Sequence, residues 1–136
     1  MSRLIVDTGP IVALLNGRDE HHGWARDALD AAKPPLATCE AVISEACFLL
    51  RRVPGGPDAC LELLARGVLE STFRLAPEIQ VVRRLMSRYA DVPMSLADGC
   101  LVRMSEIDPK ASILTIDGAF RIYRKHGRKV IPTLSP

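Results

Sequence analysis

The feature that most constrains the fold is a short apolar run that does not alternate and stops on an acid, Arg3-Leu4-Ile5-Val6-Asp7. A strand with three consecutive aliphatic residues carries apolar groups on both faces, so both faces must be covered. A second run, Ala111 to Ile116, ends the same way on Asp117. Between and around these runs the apolar spacing is helical. Thr8-Gly9-Pro10 opens a helix that Asp7 or Thr8 can cap, with Pro10 in its first turn and Asn16-Gly17 as its stop. Helical stripes follow over Glu20 to Ala32, Glu40 to Arg52, Cys60 to Gly67 and Ile79 to Tyr89, and in a helix capped by Ser95 and closed by Pro109. Pro54-Gly55-Gly56-Pro57 is the strongest turn. Weaker strands are predicted at Leu36-Ala37-Thr38, Val68 to Phe73 and Lys129 to Ile131, with a helix before the last.

Strands separated by helical stretches require crossovers, so the fold class is α/β, a parallel central sheet of about four to five strands with helices on both faces. The 136 residues suffice for one domain, 1–136, with its own core. Hydrophobic residues at 48% and charged residues at 25% exclude a disordered tail. Aromatic content is 4%, so aliphatic residues and Ala must fill that core. No apolar run reaches the roughly 18 residues of a membrane span, and the N-terminus lacks a signal-peptide pattern; a cytoplasmic protein without membrane contact is expected.

The net charge of +2 does not by itself announce a nucleic-acid binder. Its distribution says more, because Arg121, Arg124, Lys125, Arg128 and Lys129 crowd one short stretch that is either solvated surface or a phosphate contact. Cys39, Cys47, Cys60 and Cys100 have no metal-site spacing and read as small buried hydrophobes. The adjacent His21 and His22 make a poor metal pair and fit a solvated first turn. Trp24 is either core or part of a partner groove.

Four acids stand where bland acids are not expected. Asp7 and Asp117 close strands, at the sheet edge where ligands of parallel α/β folds gather, although each alone also suits a helix cap or turn. Glu45 falls beside Val42 and Leu49 on the apolar side of its helix, and Asp98 falls between Met94, Leu101 and Val102. A core-facing acid needs a partner. For Glu45 that is a buried salt bridge or a cation; for Asp98, a cation or a capping box with Ser95. All four can converge at one end of the sheet. Two carboxylates 4 Å apart repel by about 4 kcal/mol at an effective dielectric near 20, so such a cluster calls for divalent cations or arginines. All-oxygen ligands suit Mg²⁺, with Mn²⁺ also acceptable, and such ions drive phosphodiester hydrolysis.

With these residues in view the chain resembles the PIN-domain ribonucleases of the VapC toxin type. The likeness runs through Ile5-Val6-Asp7-Thr8 and Ser44-Glu45-Ala46. It is most specific in the stretch Tyr89 to Asp98 and in Leu114-Thr115-Ile116-Asp117-Gly118-Ala119-Phe120. The resemblance implies that Asp7, Glu45, Asp98 and Asp117 form a catalytic quartet. Asp7 and Asp98 would be direct metal ligands, and Asp117 would complete the site directly or through water. Glu45 would position or deprotonate the attacking water. Arg121, Arg124 and Lys125 of the basic stretch are the candidate RNA contacts, and by the resemblance Thr8 would help fix Asp7 and Thr115 would line the site. It also implies metal-dependent endonucleolytic cleavage of RNA, a homodimer, and a small DNA-binding antitoxin whose C-terminal segment covers the acids. Two departures stand out. Gly99 replaces the usual Ala after Asp98, and Gly118-Ala119 lacks the fifth acid some relatives carry.

Other chemistries fit less well. An aspartyl phosphatase needs a second Asp where Gly9 stands, and a phospho-receiver needs paired acids that Asp7-Thr8 does not offer. The remaining alternative is an inactive PIN-like module that binds RNA or protein. Retention of four costly carboxylates speaks for the nuclease.

Overall fold

The computed structural model describes residues 3–136. The first apolar run forms β1 (Leu4–Val6), the central strand of a five-stranded parallel sheet. Its order is β3 (Leu69–Glu70), β2 (Leu36–Ala37), β1, β4 (Ser112–Leu114) and β7 (Thr133–Leu134). Six α-helices occur among the described residues: α1 (Thr8–Leu15), α2 (His22–Ala31), α3 (Glu40–Leu49), α4 (Gly56–Ala65), α5 (Leu75–Arg88) and α6 (Leu96–Ile107). None is long and apolar enough to cross a membrane.

The sheet is covered as β1 requires. Ile5 lies in register with Ala37 on one side and Ile113 on the other, and all three are buried. Pleating sends Leu4 and Val6 to the opposite face from Ile5. On one face Trp24 and Ala28 of α2 border a groove with Leu4, Leu114 and Leu134. On the other, Met104 of α6 borders a cavity floored by Ile5 and Ala37. Trp24 is half-buried against the core, and Cys39, Cys60 and Cys100 lie within it as small apolar groups, with Cys47 half-buried beside them.

From β1 the chain steps outward through β2 to β3, then returns to the other side of β1 for β4. The crevice between the carboxyl ends of β1 and β4 is therefore the point where the strand order reverses, and ligands of open α/β sheets bind there.

The C-terminal quarter departs from the sequence reading. In place of the expected helix there is a 3-10 turn (Gly118–Arg121), and the strand expected at Lys129 to Ile131 forms as β6 (Lys129–Val130), paired antiparallel in a hairpin with β5 (Arg124–Lys125) outside the central sheet. His126 (φ 52°) and Gly127 (φ 76°), both left-handed, start the three-residue turn, and the Arg128 N–H closes it on the Lys125 carbonyl at 3.2 Å. β7 has only two residues, flanked by Pro132 and Ser135-Pro136, too few to show a pattern. Gly99 finds its reason here. A Cβ would lie 3.3 Å from Val82 Cγ1 and 3.4 Å from Met86 Cγ, so its absence lets α5 and α6 approach closely.

Candidate active site

Asp7 ends β1 and caps α1, so one residue serves both elements. Its Oδ1 accepts the Thr8 N–H at 2.7 Å, and its Oδ2 accepts the Thr115 hydroxyl at 2.7 Å. The Thr115 oxygen in turn accepts the Asp117 N–H at 2.9 Å, so one hydroxyl ties the end of β1 to the end of β4. Asp7 is only 5% exposed. Burial pushes its pKa up to about 6; the Thr115 and Thr8 bonds oppose this, while the charges of Asp98 and Asp117 add to it.

Asp98 sits in the first turn of α6, where the Ser95 hydroxyl accepts its N–H at 3.1 Å. That is half of the expected capping box. The carboxylate goes elsewhere, with Oδ2 accepting the Tyr123 hydroxyl at 2.7 Å. Burial raises its pKa above the ordinary carboxylate value, opposed by the bond from Tyr123, and the charges of Asp117 and Glu45 raise it further. Asp117 is exposed and caps the 3-10 turn, its Oδ1 accepting the Ala119 N–H at 2.9 Å.

Glu45 requires a correction. It is exposed, not on the buried stripe of α3, which consists of Val42, Ile43 and Ala46 and continues to Leu50 at its C-cap. Leu49, which had placed it among core residues, is itself 51% exposed. No salt bridge holds Glu45 among the described residues, yet its charge is felt at Asp98. At the carboxyl end of the sheet Asp7 thus feels Asp98 and Asp117, and Asp98 feels Asp117 and Glu45. Among the described residues no three ligand-type side chains close into a ready-made cage. The donor set is nonetheless all oxygen, as a hard divalent ion requires, and the buried Thr8 hydroxyl beside Asp7 has no hydrogen-bond partner.

The basic stretch also needs correction. Arg124 folds back on its own backbone, donating to the carbonyls of Arg121, Ile122 and Tyr123 at 2.7, 3.2 and 3.0 Å. Lys125 is buried. The hairpin turns Lys125 inward, while Arg124 is half-buried with its Nη1 committed to the backbone. Arg121 is exposed and borders a cavity of about 240 Å³ together with Thr115, Asp117, His21 and Thr133. His21 is half-buried, and His22 is no solvated residue either, with Nδ1 2.8 Å from the Ala13 carbonyl. The cavity on the α6 face of the sheet, about 350 Å³ beside Arg3 and the end of α6, has none of the four acids in its lining.

Tyr123 is the site residue that sequence reasoning missed. Its ring is fully buried between Tyr89 and Phe120, at centroid distances of 5.1 and 5.2 Å in edge-to-face geometry. A lone Tyr in a basic run gives no local sign that its hydroxyl reaches an acid in a helix.

A family model described as PIN domain matches residues 4–121. Ribonuclease VapC26 of Mycobacterium tuberculosis is 26% identical over 116 residues, covering 84% of this chain and 86% of that protein. The crystal structure of VapC20 from the same organism, described as a sarcin-ricin loop cleaving toxin, matches with a TM-score of 0.75 at 23% identity. It covers 95% of this chain and 99% of its own, a likeness of fold.

Proposed function

The chain belongs to the PIN-domain family, and from that premise we propose that it is a metal-dependent endoribonuclease, the toxin of a toxin–antitoxin pair. The observation that carries this reading is the buried Asp7 at the sheet's switch point, its pKa pushed to about 6 by burial with the charges of Asp98 and Asp117 adding. Its relative VapC26 is named a ribonuclease, which supports RNA as the substrate class.

In this reading Asp7, Asp98 and Asp117 hold Mg²⁺ or Mn²⁺, which when bound supplies Lewis-acid stabilisation of the charge that builds on the phosphate. Asp7 brings a carboxylate whose oxygens are already oriented by Thr8 and Thr115, so little ordering remains at the moment of reaction. Glu45 is exposed and accepts the proton of the attacking water. Thr8 offers a buried hydroxyl with its hydrogen-bonding capacity unspent. Arg121, at the rim of the cavity next to Asp117, contacts the RNA backbone. A second copy of the chain and a small DNA-binding antitoxin are the partners this reading implies.

Cleavage of a mixed tRNA and ribosomal RNA pool tests it, with Mg²⁺, Mn²⁺ or chelator, beside Asp98→Asn prepared identically. We expect metal-dependent cutting that falls in the mutant by more than the roughly 10–100-fold typical of losing an outer partner of a ligand. A mutant that cuts as well as the wild type overturns the role of Asp98. A wild type that neither cuts nor binds metal returns the chain to a binding module.

A further inference from the structure

The hairpin region is fastened to α5, its C-cap and α6 by three hydrogen bonds. Arg88 donates to the Gly127 carbonyl at 2.8 Å, Glu106 accepts the His126 N–H at 2.6 Å, and the Tyr89 hydroxyl accepts the Arg124 N–H at 2.9 Å. Tyr123 lies between these anchors. It is fully buried, wedged by Tyr89 and Phe120, and its one polar atom points at Asp98. A wedged ring has two torsions and little freedom in either, so its hydroxyl is delivered to a fixed place.

We propose that Tyr123 is a positioning residue for the metal centre: its hydroxyl holds Asp98 Oδ2 and so fixes the carboxylate with Oδ1 left to serve a divalent cation. The inference rests on the nuclease reading above and adds the device that orients its helix-borne ligand. An Asp side chain on a helix can rotate about two torsions, and Ser95 restrains the Asp98 backbone. The phenol supplies the missing restraint on the carboxylate. Thr115 does the same for Asp7, so each of the two direct ligands has one oxygen held by a hydroxyl donor from another element. Outer-shell donors of this kind typically tune metal affinity or activity by 10–100-fold.

The test compares Tyr123→Phe with Tyr89→Phe. Both remove one hydroxyl from the same aromatic cluster and keep the ring, but the Tyr89 hydroxyl serves the Arg124 backbone and not a carboxylate. Mn²⁺ affinity is measured by calorimetry on the full chain, with melting temperature in chelator as the fold check and kcat and KM on RNA as the second readout. We expect Tyr123→Phe to bind Mn²⁺ about 10-fold more weakly and to lose kcat with KM held. Tyr89→Phe should keep wild-type affinity even if it melts earlier. Equal Mn²⁺ affinity in Tyr123→Phe and wild type overturns the positioning role and leaves the nuclease standing. Equal weakening in both variants overturns it too, because general loosening then suffices. A wild type that binds no Mn²⁺ removes the metal centre itself, and the inference falls with it.

Discussion

The two halves of the acidic site are built by different means. The strand half, Asp7 with Thr115 and Thr8, is set by the register of β1 against β4. The Asp7 N–H donates to the Leu114 carbonyl at 3.0 Å, and the acid is buried with both oxygens engaged. The helix half, Asp98 and Glu45, is borne on α6 and α3. There Asp98 is half-buried and steadied by a tyrosine from the hairpin region, while Glu45 is exposed. The difference separates positioning by backbone from positioning by tertiary contact. The first gives a buried, costly carboxylate held by the register of two strands; the second gives a carboxylate held by one side-chain bond from a distant segment, beside a Glu45 that no salt bridge holds among the described residues.

The largest expected effect tests where the cost lies. Asp7 has its pKa raised from 3.8 to about 6, so the folded protein holds the proton more tightly than the unfolded chain. That stabilisation is complete below about pH 4 and lost as pH rises through 6. Without metal, ionised Asp7 therefore costs up to about 3 kcal/mol at pH 7.5. Asp7→Asn keeps an oxygen to cap α1 and should raise the melting temperature in chelator at that pH. It should also flatten the fall in stability between pH 4 and 6. Asp98→Asn should gain less, since Asp98 is less buried. Equal gains would erase the distinction between the halves.

Thr115→Val breaks the strand half without touching a charge. It strips a donor from Asp7 Oδ2 and an acceptor from the Asp117 N–H. Orphaning a buried group costs about 1–3 kcal/mol, and the N–H of exposed Asp117 regains water, so a loss of about 2 kcal/mol in urea unfolding is expected. The Thr115 bond lowers the pKa of Asp7, so its removal should move the pH midpoint of the metal-free protein upward. In an Asp7→Asn background the penalty should shrink, and a full-sized penalty there would mean that the hydroxyl serves only the Asp117 turn.

The same division explains what the sequence could announce. The strand half was legible because its signal is local: three aliphatic residues then Asp, and a second strand ending on Thr-x-Asp. The parallel sheet followed from the same pattern, since non-alternating strands demand cover on both faces. In the helix half, Ser95-x-x-Asp98 marked its helix start correctly, but what the carboxylate touches lies 25 residues away. Glu45 was misplaced because the helical wheel was oriented by Leu49. In α3, Phe48 and Leu49 are 61% and 51% exposed, so apolar character did not mean core. Of the hairpin, β6 is legible in Lys129 to Ile131, whereas β5 is two residues inside a basic run and carries no strand signal.

The smallest expected effect concerns the basic stretch, where sequence alone treats Arg121 and Arg124 alike. Arg121 is exposed beside the cavity that Asp117 and Thr115 border, whereas Arg124 is half-buried with its Nη1 shared among three backbone carbonyls. Arg121→Ala should leave stability within about 0.5 kcal/mol. It should weaken RNA binding measured in chelator and lower the slope of log affinity against log salt by about 0.7, the share of one phosphate contact on a single strand. Arg124→Ala should leave that slope unchanged and lower stability by about 1 kcal/mol, because the carbonyls lose a shared donor. The reverse pattern would carry the RNA path over the hairpin and away from the cavity, joining the backbone to the helix half of the site. Titrating both variants across a salt series decides between the two paths.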